Sequence, residues 1–108
     1  MKKQAEIVVI GAGPSGSIAA SLLQKMGHQV VVLEKDRFPR FSIGESLLPQ
    51  CMEFIELAGM TDVVSAEKFQ LKNGAAFACG KKYGSFDFSE KYTAGPGTTF
   101  QVLRSRFD

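Results

Sequence analysis

The sequence predicts an α/β fold built on a strand–helix–strand unit whose two strands run parallel. Three observations carry that expectation. Two short runs of consecutive aliphatic residues, Ile7-Val8-Val9-Ile10 and Val30-Val31-Val32-Leu33, lie on either side of a helical stripe. That stripe holds Ile18, Leu22 and Leu23, with Ala19, Ala20 and Met26 filling it. Glycine is also enriched: 11 of 108 residues, against an average of roughly 7%. Four of the eleven, Gly11, Gly13, Gly16 and Gly27, crowd around the intervening helix.

Each element has its own reason. Ala5 to Ile10 reads as a strand buried on both faces, because its apolar residues are consecutive rather than alternating. Pro14 suits a first helical position, where its missing N–H has no partner to lose. Gly27 is placed to end that helix in a left-handed cap. His28 to Glu34 returns to a strand, which closes a βαβ unit over 5–34 with the right-handed crossover such units adopt. Residues 35–59 follow as a loop and a second helix, opened by Pro49 and carrying Leu48, Cys51, Ile55 and Ala58 on one face up to Gly59. A short helix over Asp62 to Glu67 comes next. The remainder, about 69–103, is a β excursion with strands at Ala75 to Cys79, Tyr83 to Phe88 and Thr99 to Leu103. Gly80-Lys81-Lys82 forms its hairpin turn and Ala94-Gly95-Pro96-Gly97 a loop. Asp108 is suited to N-cap a further helix.

Composition excludes several classes of function. Thirteen Lys and Arg against eleven Asp and Glu leave a net charge of +2, too mild to argue for a nucleic-acid or membrane-surface partner. An apolar content of 44% with nine Phe marks a globular chain rather than a disordered one. Ile7 to Gln24 carries no charge, yet it is neither a signal peptide nor a membrane span. Gly11, Gly13, Pro14 and Gly16 interrupt it, and a span needs about 20 predominantly apolar residues. Two cysteines, Cys51 and Cys79, and one histidine, His28, have no metal-ligand spacing, so no metal site is expected. The thiols are expected to be reduced and mostly buried, in a cytoplasmic setting.

The chemistry concentrates in Gly11-Ala12-Gly13-Pro14-Ser15-Gly16, a G-x-G-x-x-G sequence between a strand and a helix. Gly11 permits the tight turn, Gly13 lets a pyrophosphate approach the backbone, and Gly16 lets the helix pack closely on the strand. Pro14 and Ser15 open the helix, whose N-terminus offers free N–H groups and a partial positive charge to phosphates. Glu34 ends the second strand at the offset where an acidic side chain binds ribose hydroxyls, and its charge disfavours a 2′-phosphate. With Lys35 beside it, this is a Rossmann-like dinucleotide site. Residue chemistry alone leaves FAD and NAD both open.

The following segment decides for FAD, by resemblance. Glu34-Lys35-Asp36-Arg37-Phe38-Pro39-Arg40-Phe41-Ser42-Ile43-Gly44-Glu45-Ser46-Leu47-Leu48-Pro49 resembles the strap along the flavin in flavin-dependent halogenases, nearest the branch acting on phenols and pyrroles. Related FAD monooxygenases and geranylgeranyl-reductase-like enzymes share parts of it. The resemblance implies that Arg40, Glu45 and Ser46 neighbour the flavin. Lys72-Asn73-Gly74-Ala75-Ala76-Phe77-Ala78-Cys79-Gly80 resembles the segment carrying that family's catalytic lysine, with an aromatic residue five positions later. The family uses reduced FAD and O₂ to oxidise halide to hypohalous acid, which the lysine engages by hydrogen bonding or as a chloramine; Lys72 would take that role. Read from its own residues, Lys-Asn-Gly is an ordinary exposed turn. Cys79 also stands near the place where the family usually has a tryptophan. Phe100 to Asp108 resembles a strand-to-helix junction of FAD hydroxylases and halogenases in which Arg104 lies near the flavin.

The expected function is that of an FAD-dependent oxidoreductase of the monooxygenase or halogenase type, acting on a small organic substrate. Its reduced FAD would come from a flavin reductase or from NAD(P)H. Two other readings stay open at this point: a geranylgeranyl-reductase-like enzyme with no role for Lys72, and a non-catalytic nucleotide-binding module. FAD spans both halves of a doubly wound sheet, so 1–108 is expected to be the N-terminal part of an FAD-binding domain, truncated and inactive alone.

Overall fold

The computed structural model describes residues 4–108. Strands β1 (Ile7–Ile10) and β2 (Val30–Leu33) pair in parallel, from Ile7 opposite Val30 to Ile10 opposite Leu33. Helix α1 (Pro14–Lys25) makes the crossover between them. Pro14 occupies the start of α1 as expected, and Gly27 adopts φ +95° just beyond its end, a conformation that only glycine enters without strain.

One expectation for this unit needs correction. Ile7 and Val9 are half-buried beneath α1, whereas Val8 is 53% and Ile10 85% exposed. A continuous aliphatic run signals cover on both faces, but among the described residues only α1 covers β1.

Helices α2 (Pro49–Leu57) and α3 (Thr61–Ala66) follow the strap. Ile55 and Ala58 are buried and Cys51 is half-buried, as the stripe predicts, while Leu48 stands exposed at the helix N-cap. Strand β3 (Gln70–Lys72) was not foreseen as a strand of its own. It pairs antiparallel with β6 (Thr99–Gln101), Lys72 lying opposite Thr99. Strands β4 (Gly74–Cys79) and β5 (Lys82–Asp87) form a hairpin closed by Gly80-Lys81, with glycine first as a type II′ turn prefers.

Residues 45–47 lie along the other edge of β6. The Leu47 N–H donates to the Phe100 carbonyl at 3.1 Å and the Val102 N–H to the Glu45 carbonyl at 2.7 Å, leaving Ser46 opposite Gln101. The buried apolar residues gather here: Leu47, Ile55, Ala58, Phe88 and Val102, with Thr99 the buried polar member.

The chain ends in α4 (Arg104–Phe107), which corrects the expectation for Asp108. Leu103 is the N-cap and Asp108 the C-cap. In place of a local capping side chain, the Glu45 carboxylate accepts from the Arg104 N–H at 3.3 Å. The cysteines are also corrected in part: both are free, but Cys79 is exposed, because β4 places it beside the turn of the hairpin, opposite Lys82. No helix among the described residues is long and apolar enough to cross a membrane, and no cluster there could hold a metal ion.

Candidate functional site

The glycine loop lies directly after β1 because that strand ends at Ile10 and α1 begins at Pro14. Gly11, at φ +100°, turns the chain while its N–H donates to the Leu33 carbonyl of β2 at 2.7 Å. Gly16 faces back on this turn. A Cβ there would overlap the Gly11 carbonyl oxygen and come within 3.4 Å of Val9 Cγ1, so the close approach of helix to strand requires a residue without one. No side chain caps α1, which leaves the N–H groups of its first turn, including those of Ser15 and Gly16, without intrahelical acceptors.

Glu34 closes the other side of the loop. Its carboxylate accepts from the Ala12 N–H and the Asp36 N–H, both at 3.0 Å. The Ala12 bond first, then the Asp36 bond, holds the group below its ordinary range, so it is an anion at neutral pH. Lys35, next to it, is exposed, and its backbone N–H adds a smaller contribution to the lowering at Glu34.

Two arginines from distant parts of the chain converge on this loop. Arg40 Nη2 and Arg104 Nη2 lie 3.5 and 3.7 Å from the point where a Cβ on Gly13 would stand. Neither guanidinium is a free charge. Arg40 Nη1 meets Glu34 and Asp36 at 3.2 Å each, and its Nη2 meets Asp108 at 3.5 Å. Its Nε is buried with no partner among the described residues. Arg104 donates through Nε and Nη2 to Asp108 at 2.6 and 3.0 Å, and that bond above all raises its pKa. Its Nη1 donates to the carbonyls of Ile43 and Gly44 at 2.9 and 3.3 Å. Asp36 and Asp108 were missed as members of the site; Asp108 stands four residues after Arg104 across helix α4, a spacing that favours ion pairing, whereas Asp36 meets Arg40 within a loop that carries no such signal.

A second cluster forms where the strap passes β6. The Lys72 ammonium donates to the Ser46 hydroxyl and to the Leu47 carbonyl at 3.0 Å, and lies 5.4 Å from the centre of the Phe88 ring. Lys72 is therefore no solvated turn residue. Neither Leu47 nor Phe88 was singled out as a site residue; the pairing of residues 45–47 with β6 brings in Leu47, and the Phe88 N–H bond to the Asn73 carbonyl at 2.8 Å, just past β5, brings in Phe88.

Residues 43–47 join the two clusters. At one end the Ile43 and Gly44 carbonyls hold Arg104 over Gly13; at the other Ser46 and Leu47 hold Lys72. No direct contact joins Lys72 to the glycine loop among the described residues.

Comparison with known proteins identifies relatives of the chain. The tryptophan halogenase family profile matches residues 6–103. The chain is 42% identical over 106 residues to flavin-dependent halogenase armH1 of Armillaria mellea, covering 96% of this chain and 20% of that protein. Among solved structures, a flavoprotein/dehydrogenase from Cytophaga hutchinsonii superposes with a TM-score of 0.86 at 50% identity, over 95% of this chain and 25% of that one. The myxobacterial chondrochloren halogenase CndH, a variant FAD-dependent halogenase, superposes with a TM-score of 0.82 at 36% identity, over 95% of this chain and 24% of that one. The chain thus spans about a fifth of the length of the curated relatives it matches.

Proposed function

We propose that this chain, which belongs to the tryptophan halogenase family, supplies the ADP-gripping part of an FAD-binding domain and the lysine of a flavin-dependent halogenase. The arrangement of residues 43–47, with a dinucleotide cradle at one end and a held lysine at the other, carries the reading.

The residues fit the adenine-dinucleotide end of FAD. Gly13 leaves open the space beneath two guanidinium tips, at 3.5 and 3.7 Å, that a side chain would fill. The buried Arg40 Nε is an N–H without a partner among the described residues. The uncapped start of α1 offers further donors to a diphosphate, and the anionic Glu34 can accept from ribose hydroxyls. Because both arginines already carry carboxylates, the neutral backbone donors of Gly13, Ser15 and Gly16 are assigned the larger share of the diphosphate charge. Glu45 acts indirectly, by holding the start of α4.

When bound, reduced FAD with O₂ supplies the oxidising equivalents that turn halide into hypohalous acid. Lys72 then acts on that acid. An ammonium has three donors; two of them are used on Ser46 and Leu47, and the third is assigned to the hypohalous oxygen. Holding that oxygen orients the halogen toward an aromatic carbon. The ring C–H bond is exchanged for a C–halogen bond, and the leaving hydroxide takes the ring proton as water. Reduced FAD comes from a separate flavin reductase or from NAD(P)H. The two unpaired thiols suit a cytoplasmic setting.

The test uses the protein at its natural length with reduced FAD, O₂, and chloride or bromide. Phenol, pyrrole and indole probes should gain the mass of a halogen in place of hydrogen only when halide is present. Lys72→Ala should abolish that product while FAD binding is retained. Undiminished halogenation by Lys72→Ala would remove the role given to this lysine.

A further inference from the structure

We propose that Ser46 is the positioning residue for Lys72: its hydroxyl sets the direction in which the free N–H of the ammonium points. The proposal rests on the reading of Lys72 given above. Lysine carries its charge on a flexible four-carbon stem, and Lys72 is the last residue of a three-residue strand. A single acceptor would leave the ammonium free to pivot about one bond. Two acceptors from successive residues, the Ser46 Oγ and the Leu47 carbonyl, fix two of its N–H vectors and so determine the third.

Of these two acceptors, only the serine hydroxyl belongs to a side chain, and it is separable from the fold. The ladder beside β6 is made by the Glu45 carbonyl and the Leu47 N–H. Ser46 lies between them, opposite Gln101, and its own N–H and carbonyl take no part in those two bonds. The Leu47 carbonyl is itself held, because its residue is buried and its N–H is bonded to Phe100. The Phe88 ring, 5.4 Å from Nζ, stands on a further side and restricts where the ammonium can swing once the hydroxyl is gone. Removing the hydroxyl therefore loosens the lysine without unpairing the strap.

The experiment compares Ser46→Ala with the isosteric pair Ser46→Thr and Ser46→Val, in the protein at its natural length. Reductive methylation by formaldehyde and a borane, read peptide by peptide by mass spectrometry, reports how freely each lysine reacts. Exposed Lys81 and Lys82 serve as internal references. Losing one charge-assisted bond should speed labelling of Lys72 by roughly five- to tenfold in Ser46→Ala and Ser46→Val, leave the references unchanged, and be reversed in Ser46→Thr. Halogenation should follow the same split, kcat falling with the hydroxyl while the KM for the organic substrate stays constant.

Unchanged Lys72 labelling in both hydroxyl-free variants would overturn the proposal. So would faster labelling with unaltered turnover, which would mean that the lysine is held to no catalytic purpose. Should Ser46→Ala fail to fold, the Thr and Val pair, matched in shape, decides alone. Should Lys72→Ala prove active, the reading of Lys72 fails, while the labelling arm still reports whether Ser46 restrains it.

Discussion

Gly16→Ala tests the contact on which the dinucleotide loop depends. The new Cβ would overlap the Gly11 carbonyl oxygen and stand 3.0 Å from the carbonyl carbon. That carbonyl cannot swing aside freely, because it shares a peptide plane with the Ala12 N–H, bonded to Glu34 at 3.0 Å, while the Gly11 N–H is held by Leu33 at 2.7 Å. Overpacking against backbone costs about 1–3 kcal/mol, and loosening the loop's bond to β2 about 1 kcal/mol more. Alanine returns up to ~1 kcal/mol of helix propensity. The net loss is about 1–3 kcal/mol, which at roughly 4–8 °C per kcal/mol for a domain of this size lowers the thermal midpoint by about 5–20 °C. Gly13→Ala is the control. Its φ of −72° suits any residue, and its Cβ would meet only side-chain tips at ordinary contact distance. Its thermal midpoint should stay near wild type while its affinity for ADP and FAD falls by about tenfold or more. Thermal unfolding by circular dichroism and calorimetric titration with ADP measure both quantities. A Gly16→Ala protein with the midpoint and ADP affinity of wild type would refute the packing argument.

Charge, thiol exposure and a buried hydroxyl each give a further expected outcome. Backbone N–H bonds depress the Glu34 pKa, so its contribution to stability is present above the ordinary carboxylate range and lost as pH falls through its folded value. Glu34→Gln should therefore flatten the acid side of a midpoint-against-pH curve; Glu6 and Asp87, also depressed, keep part of the slope. Cys79 is exposed, whereas burial pushes the Cys51 thiol up, so a maleimide should label Cys79 first and Cys51 slowly until the protein is unfolded. Thr99 is 1% exposed and its hydroxyl has no partner among the described residues. Thr99→Val should thus be neutral or add up to about 1 kcal/mol of stability; a clear loss of stability would show that the hydroxyl has a partner after all.

The parts legible in the sequence are those whose causes are local. A strand, a glycine turn and a helix opened by Pro14 follow one another within twenty residues of Ile7, and each residue's role depends on its immediate neighbours. The strap was legible only through resemblance, since nothing in Gly44-Glu45-Ser46 dictates a partner. What stayed hidden is what distance supplies. Strand β3 is three residues long and shows no period; it exists because β6, almost thirty residues later, pairs with it. The surroundings of Lys72 follow from that pairing and from the strap on the far side of β6. Asp108 was misread for the same reason: a capping aspartate is a local inference, whereas the carboxylate at the start of α4 is Glu45, contributed from 59 positions away.

The two arginines have a consequence for how the molecule opens. Polar side-chain links tie the βαβ unit to the remainder: Glu34 with Arg40 at 3.2 Å, and Lys25 Nζ donating to the Leu57 carbonyl at 2.9 Å. The buried apolar residues all belong to the second part. Without a ligand, amide exchange should report two separately opening units, the parallel pair yielding before the segment around Ile55 and Val102. A dinucleotide seated between the α1 N-terminus and the guanidinium groups touches both units at once. It should raise protection in both together and merge their openings into one event, so that exchange at Val9 and at Val102 becomes correlated only when the nucleotide is present.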